Sequence, residues 1–78
     1  MRLDKFLKQS RLIKRRTVAN KVCSAQKVLL NGKIAKPSSL VKENDILEIN
    51  MSQTVKVKIL KIMTITNKKN ASDMYEII

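Results

Sequence analysis

The chain has no histidine and no tryptophan, and its 78 residues include one cysteine, one glycine, one proline, one phenylalanine and one tyrosine. Each shortage removes a class of chemistry. A lone cysteine, Cys23, forms no internal disulfide, and without histidine it has no partner for a metal site, so its expected role is that of a small buried hydrophobe. Disulfide-free usage fits a reducing cytosol. One glycine, Gly32, cannot make a phosphate-cradling loop and is expected simply to turn the chain. Two aromatics, Phe6 and Tyr75, are too few for a platform that stacks single-stranded bases. The hydroxyls of Thr17 and Ser24 have no base beside them, and no paired carboxylates accompany the basic residues. The expectation is a binding protein and not an enzyme, with no cofactor and no metal. No apolar stretch is long enough to span a membrane, and the N-terminus lacks the uninterrupted apolar region of a signal peptide.

Acid is also scarce, and only at one end. Residues 1–42 hold 12 basic side chains against one acid, Asp4, whereas residues 43–78 hold five of each, so the whole net charge of +11 lies in the first part. A small domain with that asymmetry is expected to seek a polyanion. At this length there is room for one domain, burying about 60% of its unfolded surface, which leaves little scope for a deep dry active site. The core must be aliphatic, with Met51, Met63 and Met74 as gap fillers.

Periodicity predicts two helices. Over residues 2–10, Leu3, Phe6 and Leu7 recur at i, i+3, i+4 with Ser10 on the same side. Residues 11–14 connect to a second helix over 15–25, with an expected stripe of Val18, Val22 and Ala25 flanked by Ala19 and Cys23. On its other side Arg16, Asn20 and Lys27 fall within an arc of about 40°, provided the helix runs that far. Val28-Leu29-Leu30, Asn31-Gly32 and Lys33-Ile34-Ala35 carry a hairpin signal. Pro37-Ser38-Ser39 breaks the chain, and Glu43-Asn44-Asp45 reads as a turn. Ile46, Leu47 and Ile49 start a strand. Val55, Val57, Ile59, Leu60 and Ile62 predict one long strand with Lys56, Lys58 and Lys61 outward. A polar loop over 67–73 precedes an edge strand over 74–78. The fold class is α+β, two N-terminal helices packed on a small sheet of four or five short strands.

Several segments together resemble a known family. "RLDKFL" (Arg2 to Leu7), "RLIKRRT" (Arg11 to Thr17), "VLLNGK" (Val28 to Lys33), "AKPS" (Ala35 to Ser38) and "VKENDIL" (Val41 to Leu47) resemble the ribosomal-protein S-four-type RNA-binding domain, the alpha-L fold. The core motif covers about residues 1–50, and 51–78 add strands and a tail, all in a single RNA-binding domain over 1–78. The tail "NKKNASDMYEII" (Asn67 to Ile78) is similar to the stand-alone RqcP (YabO) family of ribosome quality-control proteins. That resemblance implies binding to rRNA and peptidyl-tRNA on stalled large ribosomal subunits, assistance to alanine tailing by an RqcH-type factor, cytoplasmic location and a monomer off the ribosome. The family's usual glycine after the second helix is replaced by Gln26, where a left-handed cap would cost roughly 1 kcal/mol more than with glycine.

The RNA-binding residues expected from charge, helix geometry and resemblance are Arg2, Lys5, Lys14, Arg15, Arg16, Asn20 and Lys27. Arg2 and Arg16 also occupy family motif positions. Asp4 is expected to cap a helix or to pair with a nearby arginine and orient it. Two other readings compete. A heat-shock-type large-subunit rescue protein would share the fold, usually with a longer basic C-terminal extension. A DNA-binding or nucleoid protein would use the two helices as a helix-turn-helix. Against that, the arginines cluster at the turn, and the strands that follow are not needed.

Overall fold

Leu3, Phe6 and Leu7 share one side of the first helix, and all three are fully buried in the computed structural model, which describes residues 1–63, 66–67 and 69–78. Helix α1 spans Leu3–Gln9 and begins without a side-chain cap. Its first amides are satisfied by the Pro37 loop instead: Leu3 N donates to Ser39 O at 2.7 Å and Asp4 N to Pro37 O at 3.2 Å. Buried Ser10 closes the helix by donating its hydroxyl to Leu7 O at 3.2 Å.

Helix α2 spans Arg16–Ser24, and its buried side differs from the expected one. Ala19 and Cys23 are buried, Val22 is half-buried, and Val18 and Ala25 are exposed. The helix is turned so that its small side chains meet α1 and the sheet. Helix separation depends on the side chains at the contact, and small ones permit close approach. The same rotation brings Arg16 and Asn20 to Asp4 of α1. Cys23 behaves as the expected small hydrophobe, and burial, helped by the Asp4 charge, pushes its thiol up to about 11.

Both helices end on a left-handed residue. Gln26, at φ 61°, sits where the left-handed cap is expected. Its amide donates to Cys23 O at 3.0 Å and that of Lys27 to Val22 O at 3.2 Å, the paired bonds of a Schellman motif. Arg11, also at φ 61°, follows α1, with its amide donating to Lys8 O at 3.0 Å and that of Ile13 to Leu7 O at 3.1 Å. L-residues pay about 1–2 kcal/mol for this conformation. Gln26→Gly is therefore expected to raise stability by roughly 0.5–1 kcal/mol, read as a higher urea midpoint with an unchanged slope. A lower midpoint would show that the glutamine side chain contributes more than its strain.

The sheet has five antiparallel strands in the order β2-β1-β3-β4-β5: β1 Val28–Leu30, β2 Lys33–Ile34, β3 Ile46–Asn50, β4 Thr54–Ile59 and β5 Tyr75–Ile77. Asn31 and Gly32, at φ 52° and 85°, make the expected two-residue hairpin, whose twist suits paired strands. Asn31 also donates to buried Asp45 at 3.0 Å and accepts from Ile46 N at 2.9 Å, which joins the hairpin to the 43–45 turn. Val28 opposite Ile49, and Leu47 opposite both Leu30 and Val57, form the inward columns, whereas Leu29, Glu48 and Lys56 face the other way.

Strand β4 is shorter than the apolar run through Ile62 predicts. The amides of Leu60 and Lys61 both turn to Met74 O, at 2.8 and 3.3 Å, so the chain leaves the ladder at Ile59. Where a polar loop is expected, a 3-10 helix over Ala71–Met74 precedes the edge strand. Its Ala71 and Met74 are buried and Met63 is partly buried against the core, but Met51 lies exposed in the β3–β4 turn and fills nothing. Among the described residues no helix is long and apolar enough to cross a membrane.

Candidate nucleic-acid interface

Asp4 lies in the first turn of α1 with its side chain only 3% exposed, yet it stands among the most basic residues of the chain. Arg2 grips it with two donors, Nε to Oδ1 and Nη2 to Oδ2, both at 3.2 Å. Arg16 Nη2 donates to Oδ1 at 3.4 Å, Asn20 Nδ2 to Oδ2 at 3.4 Å, and the Lys5 amide to Oδ1 at 2.8 Å. Burial by itself raises the pKa of this carboxyl. The Asn20 hydrogen bond, the Arg16 and Arg2 charges and the Lys5 amide outweigh it, and the pKa falls below its ordinary value. Asp4 is thus ionised at neutral pH, and the expected pairing with an arginine is present twice over.

The consequence is orientation. The Arg2 and Arg16 side chains each remain 48% exposed, so each guanidinium is held on one edge while other donors face solvent. A planar fork held this way loses less freedom on meeting a phosphate than an untethered cation would. One negative charge is spent to aim two positive ones.

Helix α2 contributes a second feature. It has no side-chain cap and no acid in its first turn; Arg15 stands at the N-cap and Arg16 opens the helix instead. Cations at the positive end of a helix are locally unfavourable, and free N-terminal amides favour an external anion.

The sequence-derived residues do not form one cluster. Arg2, Arg16 and Asn20 converge on Asp4, and Lys5 adjoins them through its amide. Arg15 is exposed at the start of α2. Lys27 lies beyond α2, which ends at Ser24 with Gln26 left-handed, so the helical arc drawn through Arg16, Asn20 and Lys27 does not extend to it. Lys14 lines a different groove, with Arg11 and Tyr75.

Two basic residues outside that set adjoin the Asp4 cluster. Lys21 lines a shallow depression with Asp4, Arg16, Thr17 and Asn20. Its signal in the sequence is its place one turn beyond Thr17 on the same helix face. Lys36 lines an open groove of about 520 Å³ that starts at Arg2 and Asn20 and runs past Ser24 to Pro37 and Ser38. Only the fold brings that loop beside α2.

Residues 1–47, which hold both helices, the Asp4 cluster and the hairpin, match the S4 domain family. The chain is 49% identical over 78 residues to the RQC P-site tRNA stabilizing factor of Halalkalibacterium halodurans, covering 99% of this chain and 89% of that protein. The protein of the same name from Streptococcus pneumoniae is 48% identical, with 100% of this chain and 90% of that one covered. Among solved structures, the trimeric Heat Shock Protein 15 of Vibrio cholerae superposes with a TM-score of 0.93 at 29% identity, covering all of this chain and 81% of that one. The chain belongs to the S4-domain proteins and, within them, to the family of RQC P-site tRNA stabilizing factors.

Proposed function

We propose that this protein is a cytoplasmic RNA-binding factor of ribosome-associated quality control, which binds rRNA and peptidyl-tRNA on a stalled large subunit. It supports the addition of C-terminal alanine tails by an RqcH-type partner. The observation that carries this reading is the Asp4 cluster, which holds Arg2 and Arg16 as oriented donors within the part of the chain that carries its whole net charge, in a protein whose relatives are named for stabilising P-site tRNA.

Arg2, Lys5, Lys14, Arg15, Arg16, Asn20 and Lys27 contact RNA backbone. Each neutralised phosphate releases counterions, so affinity falls steeply with salt. With two aromatics in the chain, recognition rests on RNA shape and phosphate positions and not on extended base stacking. The protein performs no chemistry and is a monomer off the ribosome. It holds one tRNA state better than another, and can shift that equilibrium only by the difference of its two affinities, about 1.4 kcal/mol for each tenfold.

The likeness to Heat Shock Protein 15 favours a second reading, rescue of large subunits without tailing. The two part in a reconstituted system of stalled large subunit, charged tRNA and partner factor. Omitting this protein is expected to shorten or abolish untemplated alanine tails, and adding it back to restore them in proportion to occupancy. Tails of unchanged length, with the protein still bound to subunits, would remove the quality-control assignment and leave the rescue reading.

A further inference from the structure

The connection between the helices and the C-terminal segment meet at an open groove of about 500 Å³, lined by Ser10, Arg11, Lys14, Ala71, Ser72 and Tyr75. It shares no residue with the Asp4 cluster. We propose that this groove is a second RNA-backbone site, which takes a phosphodiester group against Arg11 and Lys14. The proposal rests on the RNA-binding reading above and adds to it a separate anchor about which the first site says nothing.

Both walls of the groove are fixed. On one side Ala71 and Met74 are buried in the core, and the amides of Leu60 and Lys61 hold Met74 O. On the other, Ser10 is buried, and beside it Thr66 Oγ1 donates to Gln9 O at 2.7 Å and so ties the incoming tail to the end of α1. The cations on the other wall are not neutralised. Among the described residues the ion pairs are those of Arg2 and Arg16 with Asp4, and Arg11 and Lys14 have none. The acids closest along the chain, Asp73 and Glu76, are not among the lining residues, and Glu76 stands opposite Lys58 in the sheet. The hydroxyls of Ser72 and Tyr75 make no hydrogen bond among the described residues and remain available to an anion.

Arg11 adds a second argument. It occupies the left-handed position after α1, at φ 61°, where glycine would be free of strain and a side chain is not. Observed strain at a polar groove is a reason to look for function there. Arginine at this position brings to the groove a fork that matches two phosphate oxygens. Two unpaired cations, two uncommitted hydroxyls and walls pinned to the core fit an anionic backbone better than an apolar ligand. A grip on RNA at two separate places would read the spacing of phosphates, which is what recognition by shape requires.

Tyr75 is the only tyrosine, so 3-fluorotyrosine labelling places a single fluorine reporter in the groove. Titration of the labelled protein with a transfer RNA is expected to shift its one ¹⁹F resonance. The Arg11→Gln/Lys14→Gln variant should lose that shift and bind about tenfold more weakly. Its log–log salt slope should fall by about 1 for each phosphate that is no longer neutralised. Arg16→Ala should weaken binding yet keep the shift at saturation. Lys14→Gln alone, in an exposed connection, serves if the double variant does not fold by circular dichroism, and should lose part of the shift. An unmoved resonance, with affinity still dependent on Arg16, overturns the groove and spares the Asp4 face. Affinity indifferent to Arg16 but sensitive to Arg11 and Lys14 overturns the Asp4 face and spares the groove. An equal shift with polyglutamate would make this a general anion site and overturn its assignment to RNA.

Discussion

Asp4→Asn is expected to weaken binding to large ribosomal subunits by about tenfold, or 1.4 kcal/mol, even though it raises the net charge. Two effects oppose each other. Removing an acid from a basic face strengthens long-range attraction to RNA, an effect screened beyond about 8–10 Å at ordinary salt. Against it, Asp4 is the common acceptor of Arg2, Arg16, Asn20 and the Lys5 amide. An asparagine offers one oxygen where the carboxylate offers two, and its amide group confronts other donors. The guanidinium groups are then free to wander, and their ordering must be supplied on binding. The loss of short-range aim outweighs the gain in long-range pull. Tighter binding by the variant at matched salt would show that Asp4 is structural only.

The same substitution has a signature in acid. The pKa of Asp4 is lowered in the folded protein, so its stabilising contribution is fully present above the unfolded value and is lost as pH falls through the folded one. At neutral pH the variant should be less stable by about 1.5–3 kcal/mol, the range for hydrogen bonds to a charged group. The melting temperatures of the two proteins should converge as pH drops below the ordinary carboxylate range. A constant gap at all pH values would exclude the ionised carboxylate of Asp4 as its origin.

What was legible in the sequence depended on how local the deciding interactions were. Helix α1 was readable because Leu3, Phe6 and Leu7 are large, fall on one helical stripe, and are all buried. The Asn31-Gly32 hairpin was readable because two left-handed residues in sequence specify their own turn. Helix α2 misled. Size favoured Val18, but the buried acid on α1 and the small Ala19 and Cys23 set the rotation. The end of β4 was hidden for a similar reason. Leu60 and Ile62 prolong the apolar run, although out of phase with Val55, Val57 and Ile59, and the amides of Leu60 and Lys61 turn to a carbonyl at Met74, more than a dozen residues further on. Periodicity extends the helix face to Lys27, and the left-handed Gln26 interrupts it. The pairing of Asp4 with arginine could be anticipated from its isolation among cations. Its burial, and the meeting of Arg11 with Tyr75, could not, since both depend on the folded chain.

Replacing Arg2 and Arg16 together by alanine is expected to reduce binding to large subunits by 100-fold or more, and each alone by about tenfold, at about 1.4 kcal/mol per decade. The pair also separates binding from stability. Both side chains are about half exposed, so either can be removed with a small change in melting temperature, because the other still holds the carboxylate. Removing both leaves a buried ionised Asp4 with only Asn20 and the Lys5 amide, and a buried charge stripped of its partners is strongly destabilising. The double variant should therefore be less stable than the sum of its singles predicts. Adding Asp4→Asn to it should recover stability, since the stranded charge is gone, and should recover no affinity. Arg16→Lys should restore the charge and the salt dependence but under half of the lost affinity on a logarithmic scale, because an ammonium cannot fork between two oxygens. Full recovery by lysine would mean that charge alone matters, and recovery of binding in the triple variant would mean that the arginines act through folding; either result refutes the oriented-donor account of this face.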